Sequence, residues 1–311
     1  KRICEGSFYL SFVNDLIIPS NVEMIENGFL QCKTSYLSIS IKEINNNNNI
    51  KYADENHNII VGKSDINNPN FDVLIYVNKN LNTLTIPSYI KYIDSYIFDE
   101  CDQLESVVIQ ENSELTYLND CFSSSSFSSL TIPSTVEVIK ENWCYSTSSL
   151  IDVILSPKNK NYKYSDEKHQ IIIGKSDNKS EEFDVLVFAS RNIESVIIPS
   201  YIKHIDSYSF ENCNKLKVVE FEENSQLKSI GLSAFSGTAI TSITIPKSVE
   251  KMKCSFFNCT QIQTFEIESG SKLRSLKSLF NNCFKLKNVK IPEECSIKLI
   301  ESKIFEDKTS N

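Results

Sequence analysis

The chain has 311 residues, of which 41% are hydrophobic and 23% are charged, so a buried core is feasible and the composition argues against wholesale disorder. Acidic residues outnumber basic ones by 40 to 32, and the net charge of -8 argues against nucleic acid or an anionic membrane as a partner. With 7 glycines and 10 cysteines, none of them in C-x-x-C spacing, the chain resembles neither a collagen, a disulfide scaffold nor a zinc ribbon. No apolar run approaches the roughly 18 to 20 residues that a membrane-spanning helix needs.

A short phrase recurs along the chain: two or three apolar residues, then Ile-Pro, then usually a small residue. It lies at 16–25, 84–93, 130–139, 196–205, 243–252 and, in degraded form, 289–300. Proline-free versions lie between these phrases at 107–118, 219–230 and 265–276. The repeating unit is about 22 to 24 residues long, which is within the range of solenoid repeats.

Apolar and polar residues alternate within the phrase, which is typical of a half-buried strand. Leu84 and Ile86 are predicted to face the core, whereas Thr83 and Thr85 are predicted to face outward. Proline ends the strand because it has no N–H to donate to a ladder. One unit cannot bury its apolar face alone, so we expect the units to stack and their strands to form a parallel sheet. The predicted strands are 84–86, 107–109, 130–132, 196–198, 219–221, 243–245, 265–267 and 289–291.

An aromatic residue and a cysteine in F-x-x-C spacing follow many of the phrases. The pairs are Phe29 and Cys32, Phe98 and Cys101, Phe210 and Cys213, Phe256 and Cys259, and Phe280 and Cys283. We interpret these cysteines as small apolar side chains that fill a recurring core position, and predict free buried thiols at Cys101, Cys213, Cys259 and Cys283. Disulfides are the alternative. Five cysteines fall outside the pattern and stay ambiguous: Cys4, Cys121, Cys144, Cys254 and Cys295.

A longer repeat overlies the short one, because residues 52–113 match 164–225 at a shift of 112. The simplest account is a duplicated cassette that carries an insert, near 45–80 in one copy and near 157–192 in the other. Segments 52–77 and 164–188 alternate apolar and turn-prone stretches, so each is predicted to form a β-hairpin that projects from the array. The asparagine run at 45–49 is predicted to be a solvated loop.

The pattern I-P-x-x-V-x-x-I followed by F-x-x-C-x-x-L resembles the BspA-type leucine-rich repeat. The resemblance implies a fold that is α/β by class and β-rich, a right-handed horseshoe-like solenoid of stacked short parallel strands with two inserted β-hairpins. We expect one domain over 1–311 with about ten repeats. The chain begins in the middle of a unit and shows no capping repeat, so we also expect it to be a fragment of a longer protein.

The same resemblance implies a surface protein of a parasitic protist or host-associated bacterium, from a family linked to adhesion to host cells or matrix. The expected function is therefore non-enzymatic binding of a protein partner, on the cell surface or in secreted form. The alternative is an intracellular, cytoplasmic scaffold that binds another protein through the same surface. The many cysteines and the absence of a visible signal peptide favour that alternative.

Two surfaces compete as the partner-binding site. The strand column consists of the outward residues Thr85, Val108, Thr131, Ile197, Glu220, Thr244, Glu266 and Lys290. The tyrosine cluster consists of Tyr89, Tyr92 and Tyr201, with Tyr96, His204 and Tyr208 nearby. In the I-x-x-I segment Ile90 and Ile93 are expected to point inward, so Tyr89 and Tyr92 are expected to point outward. Tyrosine is enriched in interface cores, although these rings could equally shield the convex side alone. We favour the strand column because solenoids commonly bind along a concave face.

Enzymatic and cofactor chemistry finds no support in the sequence. Gly62-Lys63-Ser64 and Gly174-Lys175-Ser176 imitate the end of a phosphate-binding loop, but His57 and His169 stand where that motif needs glycine. A hairpin turn is the better interpretation. Asp54, Glu55 and His57, or Asp166, Glu167 and His169, could supply a few metal ligands, but three sequential residues rarely complete a coordination sphere. We therefore expect no catalytic residue, cofactor or metal.

Overall fold

The computed structural model describes residues 1–29, 37–42, 48–276, 278–295 and 297. The chain divides into two compact units, Lys1–Lys160 and Asn161–Asn311. Both units consist of short strands, and the helical content of the described residues is a single 3-10 turn at Asp120–Phe122. The predicted β-rich fold is confirmed. Of the helices that an α/β class would include, the described residues contain this one turn. Among these residues no helix has the length and apolar character needed to cross a bilayer.

In the first unit the described strands are β1 (Arg2–Ile3), β2 (Asp15–Ile18), β3 (Met24–Ile25), β4 (Ser38–Ile41), β5 (Ile50–Tyr52), β6 (Ile59–Gly62), β7 (Val73–Val77), β8 (Thr83–Ile86), β9 (Tyr92–Ile93), β10 (Ser106–Ile109), β11 (Tyr117–Leu118), β12 (Ser129–Ile132), β13 (Val138–Ile139) and β14 (Asp152–Leu155). In the second unit they are β15 (Tyr162–Tyr164), β16 (Ile171–Gly174), β17 (Val185–Ala189), β18 (Ser195–Ile198), β19 (His204–Ile205), β20 (Val218–Phe221), β21 (Ser229–Ile230), β22 (Ser242–Ile245), β23 (Lys251–Met252), β24 (Thr264–Ile267) and β25 (Asn288–Lys290).

The longer strands stack in parallel in both units. In the first unit β8, β10, β12 and β14 form one sheet and β2 pairs with β4. In the second unit β18 pairs with β20, and β22, β24 and β25 form another sheet. All eight predicted strands are present, although the last ends at Lys290 and not at residue 291. Strand β14 escaped the sequence analysis because Asp152–Leu155 lacks the Ile-Pro phrase.

The predicted alternation places one face of each strand in the core. Leu84 and Ile86 are buried, whereas Thr83 and Thr85 are exposed. Short strands such as β9, β19 and β21 lie on the second side of each unit, and Ile93 is buried there. The apolar residues of neighbouring repeats thus share one core within each unit, which is the physical basis of a stacked repeat fold.

A proline directly after a strand removes one backbone hydrogen bond between that strand and the strand of the preceding repeat. Glu222 N–H donates to Ile198 O and Glu268 N–H donates to Ile245 O, closing the ladder at the strand ends. The equivalent residue after β22 is Pro246, which has no N–H to donate. Strands β20 and β22 belong to different sheets, whereas β10 and β12, with Pro133 after β12, still pair over two residues.

Both inserts form antiparallel hairpins, as predicted, but they do not project from the array. In the first unit β5, β6 and β7 form a three-stranded meander, and β7 continues in parallel with β9. In the second unit β15, β16 and β17 do the same with β19. The projecting arrangement is wrong because the apolar strands β6 and β7 are buried and extend the short-strand sheet. The two meanders share one register at the shift of 112, since Ile59 opposes Val77 and Ile171 opposes Ala189. Residues 45–47 of the predicted asparagine loop lie outside the described residues.

The recurring cysteine position is a column of small hydrogen-bond donors. Cys101, Cys213 and Cys259 are buried free thiols, as predicted, and Cys283 is free but half-buried. The Cys259 thiol donates to Phe235 O at 2.9 Å. Where the pattern lacks cysteine, Ser125, Thr147 and Thr238 donate to the carbonyl three residues earlier at 2.7 to 2.9 Å. Of the ambiguous cysteines, Cys121 and Cys144 are buried, Cys254 and Cys295 half-buried and Cys4 exposed, all with free thiols. Cys32 lies outside the described residues.

Cys259→Ala is expected to lower the free energy of unfolding by about 1 kcal/mol, because it leaves a small cavity and removes the bond to Phe235 O. Cys4→Ala is the control, since Cys4 is exposed. Alkylation under denaturing, non-reducing conditions, counted by intact mass, should report the four thiols Cys101, Cys213, Cys259 and Cys283 as free. A mass that shows them bridged would overturn the assignment.

Candidate functional site

In the first unit the strand column is an uncharged strip on a hydrogen-bonded sheet. Thr85 lies opposite Val108, and Thr131 lies opposite Ile154. Thr131 is partly committed to the sheet, because its hydroxyl accepts the Ile109 N–H at 2.7 Å. Ile154 was not among the predicted residues, although it extends the strip and is 49% exposed. The strip therefore presents β-branched side chains and no charge.

In the second unit the strand column carries charge. Ile197 is 61% exposed and lies opposite Glu220. Thr244 lies opposite Glu266, and Glu266 Oε1 forms an ion pair with Lys290 Nζ at 2.5 Å. A cavity of about 430 Å³ opens where β20 and β22 fail to pair. The column is thus not one uniform surface, since its chemistry changes from one unit to the other.

The tyrosines of the tyrosine cluster are exposed, as their neighbours in I-x-x-I predict. Tyr92, Tyr201 and Tyr89 are exposed to 54%, 45% and 38%. Tyr96 and Tyr208 are half-buried and occupy left-handed backbone positions with φ near 65° and 63°. The two copies of the cassette therefore place equivalent rings at equivalent positions.

A cavity of about 620 Å³ lies against Tyr92 in the first unit. Met24, Ile25 and Tyr117 supply apolar surface, and Asp94 lines the same cavity. Sequence analysis did not single out Asp94, because Ile-Asp-Ser looks like an ordinary turn.

Asp94 is a buried carboxyl group with an unusual pKa. It is 4% exposed, and its Oδ1 accepts the Gly28 N–H at 2.6 Å. Burial raises its pKa from 3.8 to about 7. The negative charges of Asp120 and Glu5 raise it further, whereas the hydrogen bonds from Gly28 and Ser95 act to lower it. The group therefore titrates close to neutral pH.

Two smaller cavities, of about 410 Å³ and about 360 Å³, repeat one another in the two units. Five residue types line both cavities at the shift of 112. They are Lys51, Phe71, Asp72, Tyr89 and Lys91 in the first unit and Lys163, Phe183, Asp184, Tyr201 and Lys203 in the second. Each cavity lies between an insert and the loop that follows Ile-Pro. Two members of the tyrosine cluster, Tyr89 and Tyr201, thus lie in equivalent pockets.

Two of the three histidines lie in turns of the inserts. His57 and His169 occupy left-handed positions and stack on Tyr52 and Tyr164, with ring centroids 4.0 and 4.1 Å apart. Asp54 and Asp166 accept backbone N–H groups of the same turns. His204 Nδ1 lies 2.8 Å from Ser229 Oγ, and burial lowers its pKa. In the part of the chain that the structure describes, no group of His, Cys, Asp or Glu could hold a metal ion.

The sequences that imitate a phosphate loop are strand ends in the inserts. Gly62 and Gly174 close β6 and β16. Ser64 N–H donates to Asp72 Oδ1 at 2.8 Å, and Ser176 N–H donates to Asp184 Oδ1 at 3.0 Å. A side chain at Gly174 would collide with the Tyr162 ring, which explains the glycine without a ligand. The hairpin interpretation is confirmed.

Two buried cations at equivalent positions were missed by sequence analysis. Lys79 Nζ donates to Ile97 O at 3.0 Å and also to Asp99 O. Arg191 donates to Ala189 O and Ser209 O at 3.1 and 2.9 Å. Both satisfy carbonyl groups where the insert rejoins the repeats. A basic residue at the same position of both cassettes was the available signal.

Similar folds occur in solved bacterial proteins. The pneumococcal vaccine antigen PcpA matches 99% of this chain and 77% of its own at 16% identity, with a TM-score of 0.59. A leucine-rich repeat protein of Eubacterium ventriosum matches 97% and 76% at 19% identity, with a TM-score of 0.56. A leucine-rich cell surface protein of Faecalibacterium prausnitzii matches 93% and 82% at 18% identity, with the same TM-score. These likenesses show the fold. No curated protein matches the chain.

A family model also matches most of the chain. It describes the BspA-type leucine-rich repeat region and matches residues 72–166 and 181–311 in six copies. These ranges contain five of the six Ile-Pro phrases, four of the five F-x-x-C pairs and most of the parallel strands described above. The chain belongs to the BspA-type leucine-rich repeat family.

Proposed function

We propose that the chain is a non-enzymatic protein-binding module that acts in adhesion to host cells or extracellular matrix, on the cell surface or in secreted form. The observation that carries this proposal is the uncharged strip of the strand column, with Ile154 exposed at its end. β-Branched side chains on a sheet lose little conformational entropy when a partner covers them. The similar folds of a pneumococcal vaccine antigen and a leucine-rich cell surface protein support the location.

Val108→Lys combined with Ile154→Lys is expected to weaken binding to host cells or matrix at least about tenfold, since both changes place a charge in the covered strip. Gln103→Lys is the matched control, because Gln103 is exposed in a turn outside the strip. Adhesion of the purified, folded variants to cells and to matrix-coated plates gives the measurement.

A second pair of variant sets decides between the two surfaces. One set combines Val108→Lys and Ile154→Lys with serine at Glu220, Glu266 and Lys290, and the other changes Tyr89, Tyr92 and Tyr201 to serine. Loss of adhesion in the tyrosine set alone, with folding intact, would show that the strand column is the wrong surface.

An intracellular scaffold is the alternative function, and the thiols favour it. All nine cysteines that lie in the described residues are free; five of them are buried, three are half-buried and Cys4 is exposed. Free thiols are typical of a reducing compartment. Native material whose thiols are reduced and which carries no glycan would support the scaffold and contradict the surface location.

A further inference from the structure

Two free cysteines of the second unit occupy neighbouring steps of the recurring cysteine position. In this unit the position is filled, one residue per coil, by Cys213, Thr238, Cys259 and Cys283. Cys213 is followed by Thr238, and in the first unit Cys101 is followed by Ser125. Among the described residues, Cys259 and Cys283 are therefore the one pair of cysteines that succeed each other at this position.

The backbone holds the coils of the two cysteines side by side. Phe256 N–H donates to Leu279 O at 3.2 Å, and Asn258 N–H donates to Asn281 O at 3.0 Å. Hydrogen bonds of this kind space equivalent residues of neighbouring coils about 4.8 Å apart. A disulfide needs Cα atoms roughly 4.4 to 6.8 Å apart. The two cysteines are thus within bridging distance without a movement of the main chain.

The two thiols also meet at one carbonyl group. Phe256 O accepts the Cys259 N–H at 3.3 Å and the Cys283 thiol at 3.0 Å. One step earlier at the same position, Thr238 Oγ1 lies 3.5 Å from Cys259 Sγ. Side chains one coil apart are therefore in contact at this position, and the next such contact joins Cys259 to Cys283.

The environments of the two thiols differ. Cys259 is buried, and burial raises its pKa well above the ordinary value. Cys283 is half-buried, and a hydrogen bond from the Cys259 thiol lowers its pKa. The thiolate is the nucleophile in disulfide exchange. Cys283 is consequently the thiol that reacts first, and Cys259 is the thiol that completes a bridge.

We propose that Cys259 and Cys283 are a modification site, at which a small disulfide such as glutathione disulfide links the two coils reversibly. The Cys283 thiolate attacks one sulfur of glutathione disulfide, forms a mixed disulfide and releases one glutathione thiolate. Cys259 then loses its proton to water and attacks the Cys283 sulfur, which releases the second glutathione thiolate. Two protein thiols are oxidised by two electrons, and one glutathione disulfide is reduced to two glutathione molecules.

This inference goes beyond the proposed function, because it holds whichever partner the strand column binds. Both thiols are free in the structure, so the bridge needs the added oxidant. The test treats the reduced, folded chain with glutathione disulfide, blocks the remaining thiols with iodoacetamide in denaturant and maps the peptides by mass spectrometry. We expect a linked peptide pair that contains Cys259 and Cys283. It should exceed the mixed disulfide at Cys283 at least about tenfold, because the second thiol is already in contact. Dithiothreitol should restore both thiols.

Two single variants check the order of the steps. Cys259→Ser should accumulate the mixed disulfide at Cys283, whereas Cys283→Ser should leave the buried Cys259 unmodified. Cys213→Ser is the matched control, because Cys213 is buried at the same position beside Thr238, and it should form the bridge like the native chain. Circular dichroism and thermal melting show whether each variant is folded.

Three results would overturn the proposal. The first is a folded chain whose Cys259 and Cys283 stay free in excess glutathione disulfide. The second is a bridge from Cys283 to Cys254 or Cys295 in place of Cys259. The third is a bridge that forms only after the chain has been denatured. The strand-column variant Val108→Lys/Ile154→Lys should form the bridge normally, so failure of adhesion and failure of this proposal are distinguishable.

Discussion

Phe235→Ala is expected to lower the free energy of unfolding of the second unit by about 3 to 5 kcal/mol. The Phe235 ring is fully buried and stacks between Phe210 and Phe256, with centroids 5.0 and 5.4 Å away. Because each repeat contacts mainly its neighbours, the cavity removes contacts on both sides of one coil. Urea unfolding followed by tyrosine fluorescence or circular dichroism measures the loss.

Phe284→Ala provides the comparison for this experiment, since Phe284 is 69% exposed. Its removal should change stability by no more than about 0.5 kcal/mol. Equal effects at the two positions would contradict the assignment of Phe235 to the shared core of the second unit.

Asp94→Asn is expected to stabilise the first unit at pH 8 by roughly 2 to 4 kcal/mol. The folded pKa of about 7 lies above the ordinary value of 3.8. Between about pH 4 and pH 7 the folded chain therefore holds a proton that the unfolded chain releases. The contribution of Asp94 to stability falls as the pH rises through this window, and it is lowest above pH 7. Asparagine keeps an acceptor for the Gly28 N–H and avoids the buried charge.

Unfolding curves at pH 5 and pH 8 check the sign. The native chain should lose more stability between these values than the variant does, and Asp102→Asn should behave like the native chain because Asp102 is exposed. A native chain whose stability changes with pH in the same way as that of Asp94→Asn would rule out the titration of Asp94 in this range.

For the tyrosine cluster, sequence analysis predicted the exposed rings but not the cavities that they line. The rule that Ile90 and Ile93 point inward placed Tyr89 and Tyr92 outward, and both are exposed. The pairing of Tyr89 with Phe71 and Lys51 was not predictable, because it depends on how the insert folds back. The hairpins were predicted to project, and in that arrangement they would form no cavity.

The sequence by itself determined the repeat, the parallel strands and the inward and outward faces. The alternation of apolar and polar residues and the spacing of the phrases are local properties that recur in every repeat. The duplicated cassette was also visible in the sequence, and its two similar copies adopt the same register. Only the tertiary structure decided that the inserts are buried, that β20 and β22 belong to different sheets and that Asp94 lies against Gly28. These features depend on contacts between residues far apart in the chain. Their energies come from desolvation and packing, which no short stretch of sequence specifies.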